Sequence, residues 1–235
     1  MIRQAVILAA GKGRRMKESG HPQIANIPKP LIELSGLPII ERNLRKLSEN
    51  KIEVAIVINP LDEDIFREKL GNYKIKYYYQ EERLGTAHSL LQAKEFVKDE
   101  LFLVLMGDDV IEYDMEMLLN TKVPTIFGFE VPDVTGYGAI IENNEGLVEE
   151  IIEKKISGKG LLNTGVYIMH KKFFDAYQDI PLDPKSGEYF ITYAPKILAK
   201  YGIKFVAGRL SFWHGINTPE ELERARGHPK IKLDE

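Results

Sequence analysis

The sequence predicts an α/β fold in which helices cover both faces of a parallel sheet. Short runs rich in β-branched residues are apolar throughout, as in AVIL, VAIVI and LFLVL. Segments of helical period such as IIERNLRKLSEN lie between these runs, so that strand and helix alternate. Strands that are apolar on both faces and joined by helices are typical of parallel sheets with right-handed crossovers.

The first half of the chain is predicted to run β-α-β-α-β-α-β. The predicted strands are QAVILA (4–9), VAIVIN (54–59), IKYYYQ (75–80) and LFLVLM (101–106). The predicted helices are LPIIERNLRKLSEN (37–50), DEDIFREKL (62–70) and TAHSLLQAKEFV (86–97). Ligands of such sheets bind at the carboxyl ends of the strands. We therefore expect GKGRRM, after the first strand, and GDD, after the fourth, to lie at one edge.

From about residue 123 the pattern changes to strands joined by hairpins, which predicts a sub-lobe with a mixed sheet. Helical patterns return at 171–178 and 188–202, followed by a strand at 203–208. A final helix is predicted at TPEELERAR, where Thr218 is the N-cap, Pro219 occupies the first turn and Glu221 completes a capping box. We interpret residues 1–235 as one domain with two parts, about 1–122 and 123–235.

Composition excludes several function classes. A net charge of −3 argues against a general nucleic-acid binder, which needs a basic face. The absence of cysteine excludes thiol nucleophiles and thiolate metal sites. The apolar run at the N-terminus is too short for a secretory signal, and no run of eighteen apolar residues occurs. We expect a cytoplasmic protein that binds neither nucleic acid nor membrane.

The stretch LAAGKGRRM predicts a site for a polyphosphate. Gly11 and Gly13 allow backbone amides to approach an anion closely, and residues 11–30 contain five Lys or Arg against one Glu. A dinucleotide-binding fingerprint requires a third small residue where Met16 stands, which argues against an NAD-binding domain. A P-loop requires Gly-Lys followed by Ser or Thr after a longer spacing. Taken alone, the loop is therefore either a phosphate-binding loop of another type or an ordinary solvated turn between a strand and a helix.

Eight motifs occur between residues 8 and 222: LAAGKGRRM, PKPLIEL, QEERLGTAHSL, LMGDD, GYGAI, EIIEKK, LNTGVY and WHGINTPEEL. Together they resemble the sugar-1-phosphate nucleotidylyltransferases, nearest to the uridylyl and thymidylyl types. The resemblance implies a Rossmann-like three-layer nucleotidyltransferase fold with a mixed central sheet and a small β-rich sugar-binding sub-lobe. It also implies Mg2+-dependent transfer of a nucleotidyl group from UTP or dTTP to a sugar 1-phosphate, with release of pyrophosphate.

The resemblance implies the roles of the charged residues. Arg15 falls where the family grips the triphosphate, and Lys29 where it neutralises the α-phosphate region. The two prolines beside Lys29 are expected to hold it in a stiff extended segment. Asp108 matches the aspartate that binds Mg2+. Many relatives carry a second metal-binding Asp where this chain has Gly215, and Asn217 matches the asparagine that other relatives use instead.

The remaining expected contacts follow from the same motifs. The nucleotide is expected to contact Leu8, Ala10, Gly11, Gly13, Gln80, Gly85 and Thr86. The sugar and its phosphate are expected to contact Gly138, Glu153, Lys154, Asn163 and Thr164. The carboxamide at position 80 pairs with the imide edge of a pyrimidine, which favours UTP or dTTP over purine nucleotides. His88 and Trp213 are assigned structural roles, and Asp109 is expected to cap the following helix.

Two other functions remain open at this point. One is a cytidylyltransferase for a non-sugar phosphate such as phosphocholine or inositol phosphate. The other is a catalytically inactive homologue that senses sugar nucleotides, which is expected to lose Arg15, Lys29 or Asp108, whereas this chain keeps all three. The identity of the sugar and the oligomeric state are not predicted.

Overall fold

A computed structural model describes residues 1–13, 16 and 27–231. Within them, nine strands form one mixed sheet, and six short strands form three two-stranded pairs. The strands are β1 Gln4–Leu8, β2 Glu33–Leu34, β3 Leu37–Pro38, β4 Glu53–Ile58, β5 Ile75–Tyr79, β6 Leu101–Met106, β7 Asp109–Glu112, β8 Thr125–Val131, β9 Gly138–Glu142, β10 Val148–Glu153, β11 Gly160–His170, β12 Leu182–Asp183, β13 Glu188–Tyr189, β14 Val206–Arg209 and β15 Phe212–Gly215.

The helices of the described residues pack on both faces of this sheet. They are α1 Ile39–Glu49, α2 Glu63–Leu70, α3 Thr86–Gln92, α4 Met115–Asn120, α5 Phe173–Ala176, α6 Ala194–Ala199 and α7 Pro219–Gly227. Short 3-10 turns occur at Lys29–Leu31, Pro60–Asp62, Tyr177–Asp179, Ile191–Tyr193 and Pro229–Ile231. In the part of the chain that the structure describes, no helix is both long and apolar enough to cross a membrane.

The central strands explain the apolar runs of the sequence. β1 pairs in parallel with β4 and β6, and β4 pairs in parallel with β5. Alternate residues of β1 point to opposite faces of the sheet: Val6 and Leu8 belong to one buried cluster, and Ala5 and Ile7 to another. The predicted parallel sheet with two buried faces is confirmed, because each face is covered by its own set of apolar side chains.

The second half of the chain extends the same sheet through one long strand. β11 pairs antiparallel with β8 along most of its length, with β9 near its start and with β6 at its end. β9 and β10 form the expected hairpin, and β14 pairs in parallel with β8. The fold is therefore the mixed α/β arrangement that the sequence predicts, with the strands of both parts in one continuous sheet.

Two predicted helices are shorter than expected. The segment 188–202 opens with β13 and a 3-10 turn, and α6 begins only at Ala194, because Pro195 is accommodated in a first turn and not in a helix interior. The predicted helix at 86–97 ends at Gln92. The expectation that Asp109 caps a helix is wrong: it begins β7, and Asp114 caps α4.

Candidate active site

A cavity of about 460 Å3 opens at the carboxyl edge of the parallel strands. The loops after β1, β5 and β6 all contribute to its wall, as expected for GKG and GDD. Its lining residues are Leu8, Ala9, Ala10, Gly11, Lys12, Gly13, Met16, Lys29, Pro30, Gln80, Arg83, Gly85, Thr86, Ser89, Met106, Asp108, Lys154, Glu188 and Asn217. The cavity therefore brings together eleven of the sixteen residues that the sequence nominates.

The glycine loop leaves β1 directly beside the ends of its neighbours. The Ala9 N–H donates to the carbonyl of Val57, and the Gly107 N–H donates to that of Leu8. Gly13 has φ +58, a conformation that glycine adopts without strain. A Cβ on Gly11 would meet nothing within 4 Å, so this residue faces open space at the cavity wall. Arg15 lies outside the described residues.

Lys29 is the buried cation of the cavity, with 8% of its surface exposed. Its Nζ lies 2.6 Å from Asp108 Oδ2 and 3.4 Å from Asn217 Oδ1. The expected extended segment is wrong here, because Lys29–Leu31 form a 3-10 turn in which the Leu31 N–H donates to the carbonyl of Pro28. Proline fits the first turn, where its missing N–H is not required.

Asp108 and Asn217 supply the kind of donors that Mg2+ takes. Both present oxygen atoms to the same ammonium group, so these oxygens lie within about 6 Å of each other. Mg2+ is usually held by one or two carboxylates together with phosphate oxygens and water. No group of three or more His or acidic side chains able to hold a metal occurs among the described residues. The pair thus fits an ion whose remaining ligands come from a bound triphosphate.

The cap of α7 fixes the position of Asn217. The carboxylate of Glu221 accepts hydrogen bonds from the backbone N–H groups of Asn217 and Thr218. Thr218 in turn accepts from the Glu221 N–H, so the predicted capping box is confirmed. Because the Glu221 carboxylate also binds the backbone N–H of Asn217, it holds in place the residue whose side chain faces Lys29.

Steric crowding explains why position 215 is occupied by glycine. A Cβ there would lie 2.7 Å from the indole ring of Trp213 and 3.1 Å from Asn217 Nδ2. A side chain at this position therefore conflicts with the indole, and the second oxygen donor is available from Asn217 instead. Trp213 packs edge to face on Tyr137, with ring centroids 5.4 Å apart, which agrees with its expected packing role.

Asp109 begins β7 and, unlike Asp108, does not line the cavity. Its Oδ2 accepts a hydrogen bond from Trp213 Nε1 at 3.2 Å. Burial and the neighbouring carboxylate of Asp108 raise the pKa of Asp109 to about 7. This residue anchors the indole against β7, and it is Asp108 that reaches the cavity.

Gln80 follows β5, an edge strand of the sheet, whereas Asp108 follows β6 on the other side of β1, so Gln80 lies at the wall of the cavity far from Asp108. Its amide nitrogen holds it there. The side chain is 3% exposed, and Nε2 lies 3.0 Å from the carbonyl oxygen of Gly85 and 3.0 Å from His88 Nδ1. The carbonyl is only an acceptor, so it fixes the NH2 end of the amide on this side. Burial lowers the pKa of His88, which favours the neutral ring that accepts this hydrogen bond. Sequence reasoning assigned His88 a structural role and missed this contact with Gln80.

The loop at Gly85 is pressed against the hairpin of β12 and β13. Gly85 has φ +99, and a Cβ there would lie 2.5 Å from the carbonyl oxygen of Tyr189. The Tyr189 N–H donates to the carbonyl of Leu84, and the Ile191 N–H donates to Thr86 Oγ1. The Thr86 hydroxyl therefore orders the loop. Glu188, which sequence reasoning missed, reaches the cavity from this hairpin.

On the expected sugar side, only Lys154 lines the cavity. It has φ +55, an uncommon conformation for a residue with a side chain, and such strain concentrates at functional sites. Glu153 precedes it and pairs with Gly138 across the hairpin. A Cβ added at Gly138 would lie 2.9 Å from the Glu153 carboxylate. Burial raises the pKa of Glu153.

Asn163 and Thr164 lie on β11 and do not line the cavity. Asn163 Nδ2 donates to the hydroxyl of the fully buried Tyr167 at 2.8 Å. The Thr164 hydroxyl donates to the carbonyl of Phe127 at 2.6 Å and is 1% exposed. The Thr164 hydroxyl is thus engaged with the backbone of the adjacent strand β8.

The sheet, the glycine loop and the paired oxygen donors define a nucleotidyltransferase. The chain belongs to the nucleotidyl transferase family, whose model matches residues 4–227. It is 32% identical over 238 residues to the bifunctional protein GlmU of Methanococcus aeolicus, covering 98% of this chain and 56% of that protein. It is 31% identical to GlmU of Methanocaldococcus jannaschii, with 98% and 55% covered. The chain spans about half the length of these curated relatives.

Solved structures show the same fold. HddC from Yersinia pseudotuberculosis aligns with a TM-score of 0.74 at 26% identity, covering 96% of this chain and 99% of that one. A second structure of HddC is a complex with GMP-PN. The inositol-1-phosphate CTP transferase from T. maritima aligns with a TM-score of 0.79 at 18% identity, covering 98% and 94%. The predicted fold class is confirmed by these neighbours.

Proposed function

We propose that this chain transfers a nucleotidyl group from UTP or dTTP to a sugar 1-phosphate in a Mg2+-dependent reaction. The observation that carries the proposal is the convergence, in one cavity, of a phosphate-type glycine loop, the Lys29 ammonium and the oxygen donors of Asp108 and Asn217. Lys12 and Arg83 also line the cavity, and Lys154 contributes a further cation from the second half of the chain. The eight motifs that resemble the sugar-1-phosphate nucleotidylyltransferases support a sugar phosphate as acceptor.

The reaction joins two anions, so the protein acts mainly by positioning and by neutralising charge. An oxygen of the sugar phosphate attacks the α-phosphorus, the bond from that phosphorus to the bridging oxygen breaks, and its electron pair leaves with pyrophosphate. Bringing a dianion to about 4 Å from an anionic phosphate costs roughly 8 kcal/mol at an effective dielectric near 20. Lys29 and Lys154 reduce this cost as fixed charges.

Mg2+ held by Asp108 and Asn217 would supply Lewis-acid polarisation of the phosphates. The chain's own residues do the rest. Gly11 and Gly13 let the backbone approach the triphosphate, and Lys29 stabilises charge on the α-phosphate. Gln80, at the far wall, orients the base by offering its carbonyl oxygen to a donor on the base edge.

Pyrophosphate release tests the proposal. The purified protein with Mg2+ is assayed against UTP, dTTP, CTP and GTP, each paired with a panel of hexose 1-phosphates. Asp108→Asn is expected to lower turnover about a hundredfold or more, because several kcal/mol of charge stabilisation are lost. Asp99→Asn is the matched control, since Asp99 pairs with Arg3 at the protein surface. Absence of pyrophosphate with every pair rejects the function.

Two further assays address the other candidates. CTP with inositol 1-phosphate or phosphocholine is included in the panel. If turnover with one of these acceptors is faster than with any sugar 1-phosphate, the acceptor is a non-sugar phosphate and not a sugar 1-phosphate. A protein that binds a sugar nucleotide by calorimetry, but releases no pyrophosphate under any condition, is a sensor. Retained activity in Asp108→Asn removes that residue from the metal role.

A further inference from the structure

Ser89 carries a buried hydroxyl beside the cavity, and the proposed reaction gives this hydroxyl no role. It lies on α3 and is 4% exposed, yet it contributes to the cavity wall. Among the described residues its Oγ has no hydrogen-bond partner. A buried hydroxyl without a partner costs about 1–3 kcal/mol. Because Ser89 lines the cavity while its Oγ is almost fully covered, this hydroxyl is a candidate for a contact that forms when a ligand enters and the side chain turns toward it.

Ser89 stands beside the amide that faces the base. The backbone N–H of Ser89 and the Nε2 of Gln80 both donate to the carbonyl oxygen of Gly85, each at 3.0 Å. The two nitrogens therefore lie within about 6 Å of each other. Both donors of this junction are directed at one backbone oxygen, so the two side chains flank the same region of the cavity wall.

The chemistry of the two side chains is complementary to the edge of a pyrimidine. The NH2 of Gln80 is engaged by Gly85 and His88, and no hydrogen bond of its Oε1 is found among the described residues. This oxygen accepts from a ring N–H or an amino group. A serine hydroxyl both donates and accepts, so it bonds either the carbonyl oxygen of uracil and thymine or the amino group of cytosine.

The orientation of the nucleotide selects which edge atom meets Ser89. The triphosphate is placed at Gly11, Gly13 and Lys29, so the glycosidic nitrogen faces that side of the cavity. The substituent on C4 is opposite the glycosidic nitrogen in the ring and points away from the phosphates. Ser89 lies one helical turn into α3, between the core residues Ala87 and Leu90, on the far wall.

We propose that Ser89 Oγ hydrogen-bonds the exocyclic group on C4 of the bound pyrimidine, next to the Gln80 contact. Ser89 is thus a base-binding residue, and its hydroxyl serves uracil, thymine and cytosine alike. The inference rests on the proposed function only in that the cavity takes a pyrimidine nucleotide. The bond satisfies the buried hydroxyl when the nucleotide enters, so the cost carried by the free protein is recovered in the complex.

The test compares Ser89→Ala with the wild-type protein by calorimetric titration with UTP and Mg2+. Loss of one hydrogen bond is expected to raise the UTP dissociation constant about 3- to 10-fold. The same pair of proteins is titrated with the triphosphate of pyrimidin-2-one riboside, which lacks the C4 oxygen. With that analogue, Ser89→Ala and wild type are expected to bind equally.

A matched control separates binding from folding. Thr125 is as buried a residue as Ser89, at 4% exposed, but its hydroxyl donates to the carbonyl of Val123 and it lies outside the cavity. Thr125→Val is expected to lower the melting temperature by about 2–4 °C and to leave the UTP dissociation constant unchanged. Ser89→Ala is expected to keep or raise the melting temperature, because it removes a hydroxyl without a partner.

Several results overturn the proposal. Unchanged UTP affinity in Ser89→Ala does so, as does an equal loss of affinity for UTP and for the analogue. A melting temperature that falls in Ser89→Ala indicates a structural role instead. If the wild type binds UTP but releases no pyrophosphate, the proposed function fails while these titrations still decide the role of Ser89. If it binds no pyrimidine nucleotide, both proposals fail.

Discussion

Replacing Lys29 by methionine tests whether the buried ammonium acts on the substrate phosphates. Methionine keeps most of the length of the unbranched side chain and removes its charge. A phosphate oxygen in contact with Nζ places the two charges about 4 Å apart, and at an effective dielectric near 20 this interaction amounts to roughly 4 kcal/mol. We therefore expect kcat/KM for the best nucleotide and sugar phosphate pair to fall about a thousandfold.

The stability of the Lys29→Met variant is expected to change little. The Asp108 side chain is 36% exposed and stays hydrated after Lys29 is removed. Lys46→Met is the matched control, because Lys46 forms a similar ion pair with Glu112 at 2.9 Å but does not line the cavity. The variants are compared by pyrophosphate release and by thermal denaturation. A loss below tenfold, or a loss matched by Lys46→Met, refutes the reasoning.

Two further predictions concern the groups that orient these ligands. Glu221→Ala removes the carboxylate that holds the backbone of Asn217, so the Mg2+ concentration for half-maximal rate is expected to rise severalfold, with a loss of about 1 kcal/mol in helix stability. A titration of the initial rate with Mg2+ measures this, and an unchanged midpoint contradicts it. Burial lowers the pKa of His88, while Glu82 opposes that shift, so the folded protein favours the neutral ring. The contribution of the neutral His88 ring to stability is therefore fully present above pH 6.5, the pKa of histidine in the unfolded chain. This contribution decreases as the pH falls below that value. His88→Asn is expected to flatten this part of the curve of melting temperature against pH, and parallel curves for variant and wild type reject the role.

Local patterns in the sequence predict most of what builds the sheet. Two-faced apolar runs identify the parallel strands, and the rule that ligands bind at strand ends brings GKG and GDD to one edge. The box at Thr218 and Glu221 is readable because its donors and acceptors lie within four residues. These features depend on neighbours in the sequence, which is why periodicity and spacing are sufficient for them.

Contacts between distant segments were not predictable in this way. The hairpin of β12 and β13 lies about a hundred residues from the loop at Gly85, and only the folded chain shows that Tyr189 excludes a side chain there. Ser89 reads as an ordinary polar residue of a helix until its burial and lack of partner are known. The steric conflict with Trp213 at Gly215 likewise depends on three-dimensional packing.

The backbone at Lys154 has a consequence for how this protein can be made more heat resistant. A side chain at φ +55 costs about 1 kcal/mol or more, and glycine at the same position is relieved of it. Selection for a high melting temperature alone therefore favours glycine at residue 154, and the cavity loses a cation each time that solution is taken. In libraries screened for thermal tolerance, residue 154 is best kept as lysine. Lys51 has a similar φ at the end of α1 but lies outside the cavity, so it is open to change.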